Sequence, residues 1–193
     1  MKQILLSLCL VLLTFDCISD QQSDTNTQAE IAAAKVAIKE FAGALQTELK
    51  GAMKAGGPLA AIAVCNTQAM PITARVSADK GMHLSRVSLK NRNPANAPNN
   101  WQAAVLEDFE KKRMAGNDIT QLGWTETVDV NGVQEFRFMK AIPTGEGCLR
   151  CHGSELAPDV SQILGQLYPQ DLATGYKVGD IRGAFVVTRQ IPN

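Results

Sequence analysis

Residues 124–142 read WTETVDVNGVQEFRFMKAI, two runs rich in β-branched and aromatic residues on either side of Asn131-Gly132. Both residues of an Asn-Gly pair tolerate the positive φ that a type I′ turn demands, so the stretch predicts an antiparallel hairpin, 124–130 against 133–142. In that register Glu126 faces Arg137 and Trp124 faces Met139, both favourable cross-strand pairs.

Working outward from the hairpin, residues 183–191 (GAFVVTRQI) read as a last strand, and His83 opens another in HLSRVS. Residues 158–167 are weakly helical. Residues 101–114 form a short helix with Val105, Leu106 and Phe109 on its apolar side. Between the first strand and that helix lies KNRNPANAPN (90–99), whose prolines push the residues before them out of helical geometry, so this is a loop.

Near the start, Ile31, Ala34, Ile38, Phe41, Leu45, Leu49 and Met53 recur at spacings of three and four, the stripe of an amphipathic helix ended by Gly56 and Gly57. Pro58 suits the first turn of a second helix, which carries Leu59, Ile62, Ala63, Cys65, Asn66 and Met70. Helices first, a hairpin in the middle and a strand at the end define an α+β chain with an antiparallel sheet. No internal repeat is present.

The chain has 193 residues, 45% apolar and 20% charged, which suits one globular domain plus a targeting segment. Its 19 basic and 19 acidic residues cancel, so no net field draws it to nucleic acid or an anionic membrane. Residues 3–15 (QILLSLCLVLLTF) follow Met1 and Lys2 and precede a polar stretch. The run is too short to span a bilayer and has the length of a signal-peptide core. The expected organisation is a leader over 1–19, a polar linker over 20–29 and a folded domain over 30–193, exported and without a transmembrane segment once mature. Cleavage after Ser19 places small residues, Cys17 and Ser19, where a signal peptidase wants them. Lipidation at Cys17 is disfavoured by Phe15 and Asp16 just before it.

Removing residues 1–19 discards Cys9 and Cys17 and leaves Cys65, Cys148 and Cys151, an odd number for a disulfide framework. Two of them fall in Cys148-Leu149-Arg150-Cys151-His152, the attachment signature of a c-type haem. On a helical turn, residues three and four apart share a face, so two thiols reach two vinyl groups while the imidazole reaches the iron. Chance produces this pattern in on the order of one in a thousand such chains. Gly145 and Gly147 just upstream let the backbone approach a large planar ligand. The competing readings are a disulfide or active dithiol at 148 and 151, and a zinc site of Cys65, Cys148, Cys151 and His152.

With a haem in place, the second axial ligand comes from Cys65, His83 or a methionine, Met70 and Met82 being on or near the second helix. The residues alone leave this open: the setting AAIAVC suits Cys65 as a small buried hydrophobe, and a histidine opening a strand is commonly a surface residue.

Four stretches, AIAVCNTQAM, RVSLKNRNPANAPNNW, GCLRCH and YPQDLATGYKVGDIRGAF, carry a resemblance to a bacterial family of single-haem c-type domains with a PAS-like fold, formerly a domain of unknown function. The resemblance runs from about Ala29 to Pro192. It implies a PAS-like antiparallel sheet with two long N-terminal helices, one covalent haem c, and iron held between His152 and Cys65. It also suggests a haem-edge role for the 90–99 loop, with Arg92 on a propionate; the alternative is a solvated arginine.

A periplasmic redox or small-ligand sensor follows if the thiolate, which prefers ferric iron, is released on reduction. The alternative is a low-potential electron carrier with a fixed ligand set, which the lack of a recognisable output module favours slightly. Either needs a redox or signalling partner protein, which the sequence leaves unidentified. With both axial positions filled and one spare histidine there is no open iron position and no distal acid-base group, so no enzymatic activity is expected.

Overall fold

The computed structural model describes residues 16–191, with side chains from residue 25 onward. The leader expected over 1–19 falls largely outside that range. The element order is α1 (Asp16–Lys80), β1 (His83–Val87), α2 (Asn100–Met114), β2 (Gly123–Val130), β3 (Val133–Pro143), α3 (Leu149–His152), α4 (Pro158–Leu167) and β4 (Ile181–Ile191).

Helix α1 is two arms joined at the expected glycine pair, where Gly57 takes φ 69° and ψ −158°, a conformation a side chain opposes. The second arm runs on through Pro71 to Lys80. Residues 20–29, expected as a linker, are instead helical and continuous with the first arm. No glycine or proline occurs between residues 16 and 42 to break the helix, and polarity alone does not end one. Glu30 also anchors this end of the helix on Arg189 of β4 at 3.2 Å.

The arms fold back on each other beside the sheet, with Glu40 of the first meeting Lys80 at 2.8 Å and Arg75 at 3.3 Å on the second. The Lys80 ammonium, and then Arg75, hold the Glu40 carboxyl below its ordinary value. A carboxylate depressed on folding stabilises at neutral pH and loses that contribution as pH falls through its lowered value. Glu40→Gln is therefore expected to melt slightly below the wild type at pH 7, with the gap closing in acid; an unchanging gap across a thermal-melt pH series would contradict this.

The four strands form one antiparallel sheet in the order β1-β4-β3-β2. Its hairpin has the expected register, Trp124 opposite Met139 and Glu126 opposite Arg137, with Asn131 at φ 56° and Gly132 at φ 84° in the turn. Arg137, however, makes its ion pair with Glu135 at 2.7 Å and lies over the Trp101 ring, because the neighbouring side chain on its own strand is the nearer partner.

Ala34, Ala37, Ile38 and Phe41 of α1 pack with Val76 of its second arm against Leu84, Phe136, Phe138 and Val187 of the sheet. Farther along the stripe, Leu45, Leu49 and Met53 are only half-buried. Val105, Leu106 and Phe109 of α2 cover a second cluster with Met139, Ala141, Ala184 and Val186. Strand residues alternate between these clusters, so both faces of the sheet are covered and the fold is α+β.

Between β3 and β4 the register slips: Ile142 faces Gly183 and Pro143 faces Ile181, leaving Arg182 as the extra residue of a bulge. Gly183 has φ 153°, and a Cβ there would stand 2.3 Å from the Val87 carbonyl oxygen.

Candidate functional site

The turn Leu149–His152 follows directly from the end of β3 through a tight turn at Glu146–Cys148. Cys148, Cys151 and His152 therefore come from little more than one helical turn, and all are half-buried. Gly153 stops the turn: a Cβ there would lie 2.7 Å from the Leu149 carbonyl oxygen. Backbone bonds then fasten the turn to the segment before β4, with Tyr176 N–H donating to His152 O and Gly175 N–H to Gly153 O, both at 2.9 Å.

That segment fixes the imidazole. His152 Nδ1 lies 2.7 Å from the Ala173 carbonyl oxygen, which can only accept, so Nδ1 carries the proton. The ring also meets Tyr176 edge-on at 6.2 Å. Burial, reinforced by the charges of Arg182 and Arg92, lowers the His152 pKa to about 3. The imidazole is thus neutral, with the Nε2 lone pair available to a metal.

Cys65 comes to the same place from the second arm of α1. One turn before it, Ile62 packs with Val160, Leu164 and Tyr168, a cluster that Cys151 joins at its edge. Cys65 and Cys151 are close enough for a charge on one to disfavour a charge on the other. Burial pushes the Cys65 thiol up, while Arg86, Arg92 and Arg182 pull it down. Cys65, Cys148 and Cys151 are all free thiols. Among the described residues no group of three or more His, Cys, Asp or Glu side chains is gathered to hold a metal ion. A preformed zinc cage is therefore not seen among the described residues.

The arginines differ in their partners. Arg92 pairs with Asp171 at 2.9 Å, both side chains about nine-tenths buried, and donates to the carbonyls of Cys151 and Ala173. This overturns the solvated reading of Arg92, and its Nε and Nη2 are committed to protein acceptors. Arg182, the bulge residue, donates to Ser88 Oγ at 3.2 Å and lies over the Tyr176 ring at 5.2 Å. Arg86 lies over the Phe41 ring at 5.1 Å. Burial is the main cause that lowers the pKa of Arg86 and Arg182, and neither forms an ion pair among the described residues.

The other candidate ligands stand apart. His83 is exposed at the start of β1, Met70 is 54% exposed, and Met82 is packed between α1 and the sheet. Reading the sequence missed Gly153, Ala173, Tyr176, Asp171 and Arg182 as parts of the site. Four of these, Asp171, Ala173, Tyr176 and Arg182, sit inside YPQDLATGYKVGDIRGAF, but nothing in the stretch says which of them meets His152.

The fold defines an α+β domain in which a Cys-x-x-Cys-His turn, with a neutral imidazole, lies beside buried guanidiniums. The chain belongs to the Tll0287-like family, whose profile matches residues 19–189. This agrees with the resemblance drawn from GCLRCH and its companion stretches. Among solved structures it is similar to the cyanobacterial haem protein Tll0287, with a TM-score of 0.59 and 24% identity over 86% of this chain and 96% of that one. No curated protein matches the chain.

Proposed function

We propose that the chain is an exported, periplasmic cytochrome with a PAS-like fold and a single haem c, attached through Cys148 and Cys151, its iron held between His152 and Cys65. The observation that carries this reading is the convergence of two thiols and a neutral imidazole on one turn, with a third thiol brought up from α1. The residues present fit the group. Cys-x-x-Cys-His provides both attachment points and one ligand, and Arg86 and Arg182 are buried cations that form no ion pair among the described residues, suited to the carboxylates a haem carries.

Bound haem supplies a one-electron iron couple. Around it the chain's residues have separate tasks. The Ala173 carbonyl keeps the His152 proton on Nδ1. The three arginines lower the cost of a Cys65 thiolate, which burial alone opposes. His152 and Cys65 would together hold the iron, and the reading is non-enzymatic.

Sensing is favoured over plain electron transfer by where Cys65 stands. It lies on the helical arm beyond the Gly56–Gly57 break, so a change in its bond on reduction would act on a helix and not on a loop side chain. The redox or signalling partner is a second protein, and the chain's balanced charge argues against nucleic acid.

The test is chemical. Protein purified from cells able to mature c-type cytochromes should keep its colour through acid-acetone extraction, and Cys148→Ser with Cys151→Ser should lose it. Colourless wild-type polypeptide with free thiols at 148 and 151 would end the proposal.

A further inference from the structure

Arg92, Asp171 and Ala173 form a closed circuit around the imidazole of His152. The Ala173 carbonyl accepts His152 Nδ1–H at 2.7 Å and Arg92 Nη2–H at 3.3 Å. Its own N–H donates to Asp171 Oδ1 at 2.7 Å, and Asp171 Oδ2 accepts from Arg92 Nε at 2.9 Å. Arg92 Nη2 also donates to the Cys151 carbonyl. Ala173 is fully buried, and the Arg92 and Asp171 side chains are 11% and 10% exposed. One guanidinium thus grips both the turn that carries His152 and the oxygen that holds it.

We infer that Arg92 and Asp171 are positioning residues that set, with opposite signs, the donor strength of His152 toward its metal through the shared Ala173 carbonyl. The inference rests on the haem reading above. A hydrogen bond from Nδ1–H to a carbonyl makes the other ring nitrogen a better donor, which favours the more oxidised metal. A cation on the same oxygen draws its electron density away and weakens that bond. Asp171 offsets the cation and restores the bond. Because the pair is withdrawn from water, salt screens it poorly, so removing either partner leaves an uncompensated charge close to the iron.

The experiment is a redox titration of the holoprotein between ferric and ferrous forms with dithionite and ferricyanide, with haem content and far-ultraviolet circular dichroism recorded for every variant. At a potential where the wild type is half reduced, Arg92→Gln is expected to lower the ferrous-to-ferric ratio about tenfold, a fall of about 59 mV for one electron. Asp171→Asn removes the charge and keeps one oxygen acceptor, its amide nitrogen replacing the other beside a donor, and is expected to raise the ratio by a similar factor. Arg92→Lys keeps the charge without the forked donor and should fall between Arg92→Gln and the wild type. Opposite shifts at native haem content support the inference. Shifts in the same direction, or less than about twofold in both variants, overturn it. If Arg92→Gln fails to fold, the sign of the Asp171→Asn shift decides alone. Wild-type protein without haem removes the underlying reading and this inference with it, whereas a haem-bearing protein with unmoved potentials removes this inference only.

Discussion

Ferric Cys65→Ala protein is expected to keep its covalent haem and lose the low-spin thiolate signature in absorption and electron paramagnetic resonance. On the proposed reading attachment depends on Cys148 and Cys151, and His152 is held by the Ala173 carbonyl whatever Cys65 does. A thiolate is an anionic donor that stabilises the ferric state, so its loss should raise the reduction potential by on the order of 0.1 V. The environment supports this role: Arg86, Arg92 and Arg182 oppose the rise that burial imposes on the Cys65 thiol, and a bound iron would add its own charge to theirs. His83→Ala, Met70→Leu and Met82→Leu serve as controls and should leave the spectrum alone, since His83 and Met70 face solvent and Met82 is locked into the α1–sheet core. An unchanged Cys65→Ala spectrum would send the search for the second ligand back to these three.

The second large effect is expected at the β4 bulge. Gly183→Ala places a Cβ 2.3 Å from the Val87 oxygen and 3.1 Å from the Ser88 Cβ, on a residue whose φ of 153° disfavours a side chain. Backbone must move, because the nearest atom belongs to β1 itself. Overpacking and backbone strain together should cost about 2–4 kcal/mol, a drop of roughly 5–15 °C in melting temperature for a chain of this size. The site should feel it too. Arg182 is the bulged neighbour and bonds Ser88 Oγ, so the ferric spectrum should change along with the melt. A melting temperature within about 2 °C of wild type would show that the bulge has slack.

Much of the scaffold could be read from residue order because its signals are local. Asn131-Gly132 and the alternation around it determine a hairpin and its register with no help from elsewhere. The Gly56-Gly57-Pro58 break and the Val105, Leu106, Phe109 triplet are equally self-contained. The 20–29 segment misled because polarity was taken for irregularity, although it contains no residue that stops a helix. Within the proposed site, Cys148, Cys151 and His152 stand out by their spacing alone, and the structure places them on one turn. Cys65 does not: it lies on another element, and only the family resemblance singled it out before the fold brought it to Cys151. Arg92 was misjudged for the same reason. Its partner Asp171 and the Ala173 carbonyl lie about eighty positions away, and no short-range pattern joins them.

The strand order also governs when the sheet can close. β4 is the last of the four described strands in sequence, yet it lies between β1 and β3. Until it is made, β1 has no neighbour, and β3 has an open edge on the side away from β2. The Cys148–His152 turn precedes β4, so it emerges while the sheet is still split. Chemistry that must reach the two thiols has a window before insertion of β4 draws Tyr176 and Ala173 over the imidazole and seals the turn in place.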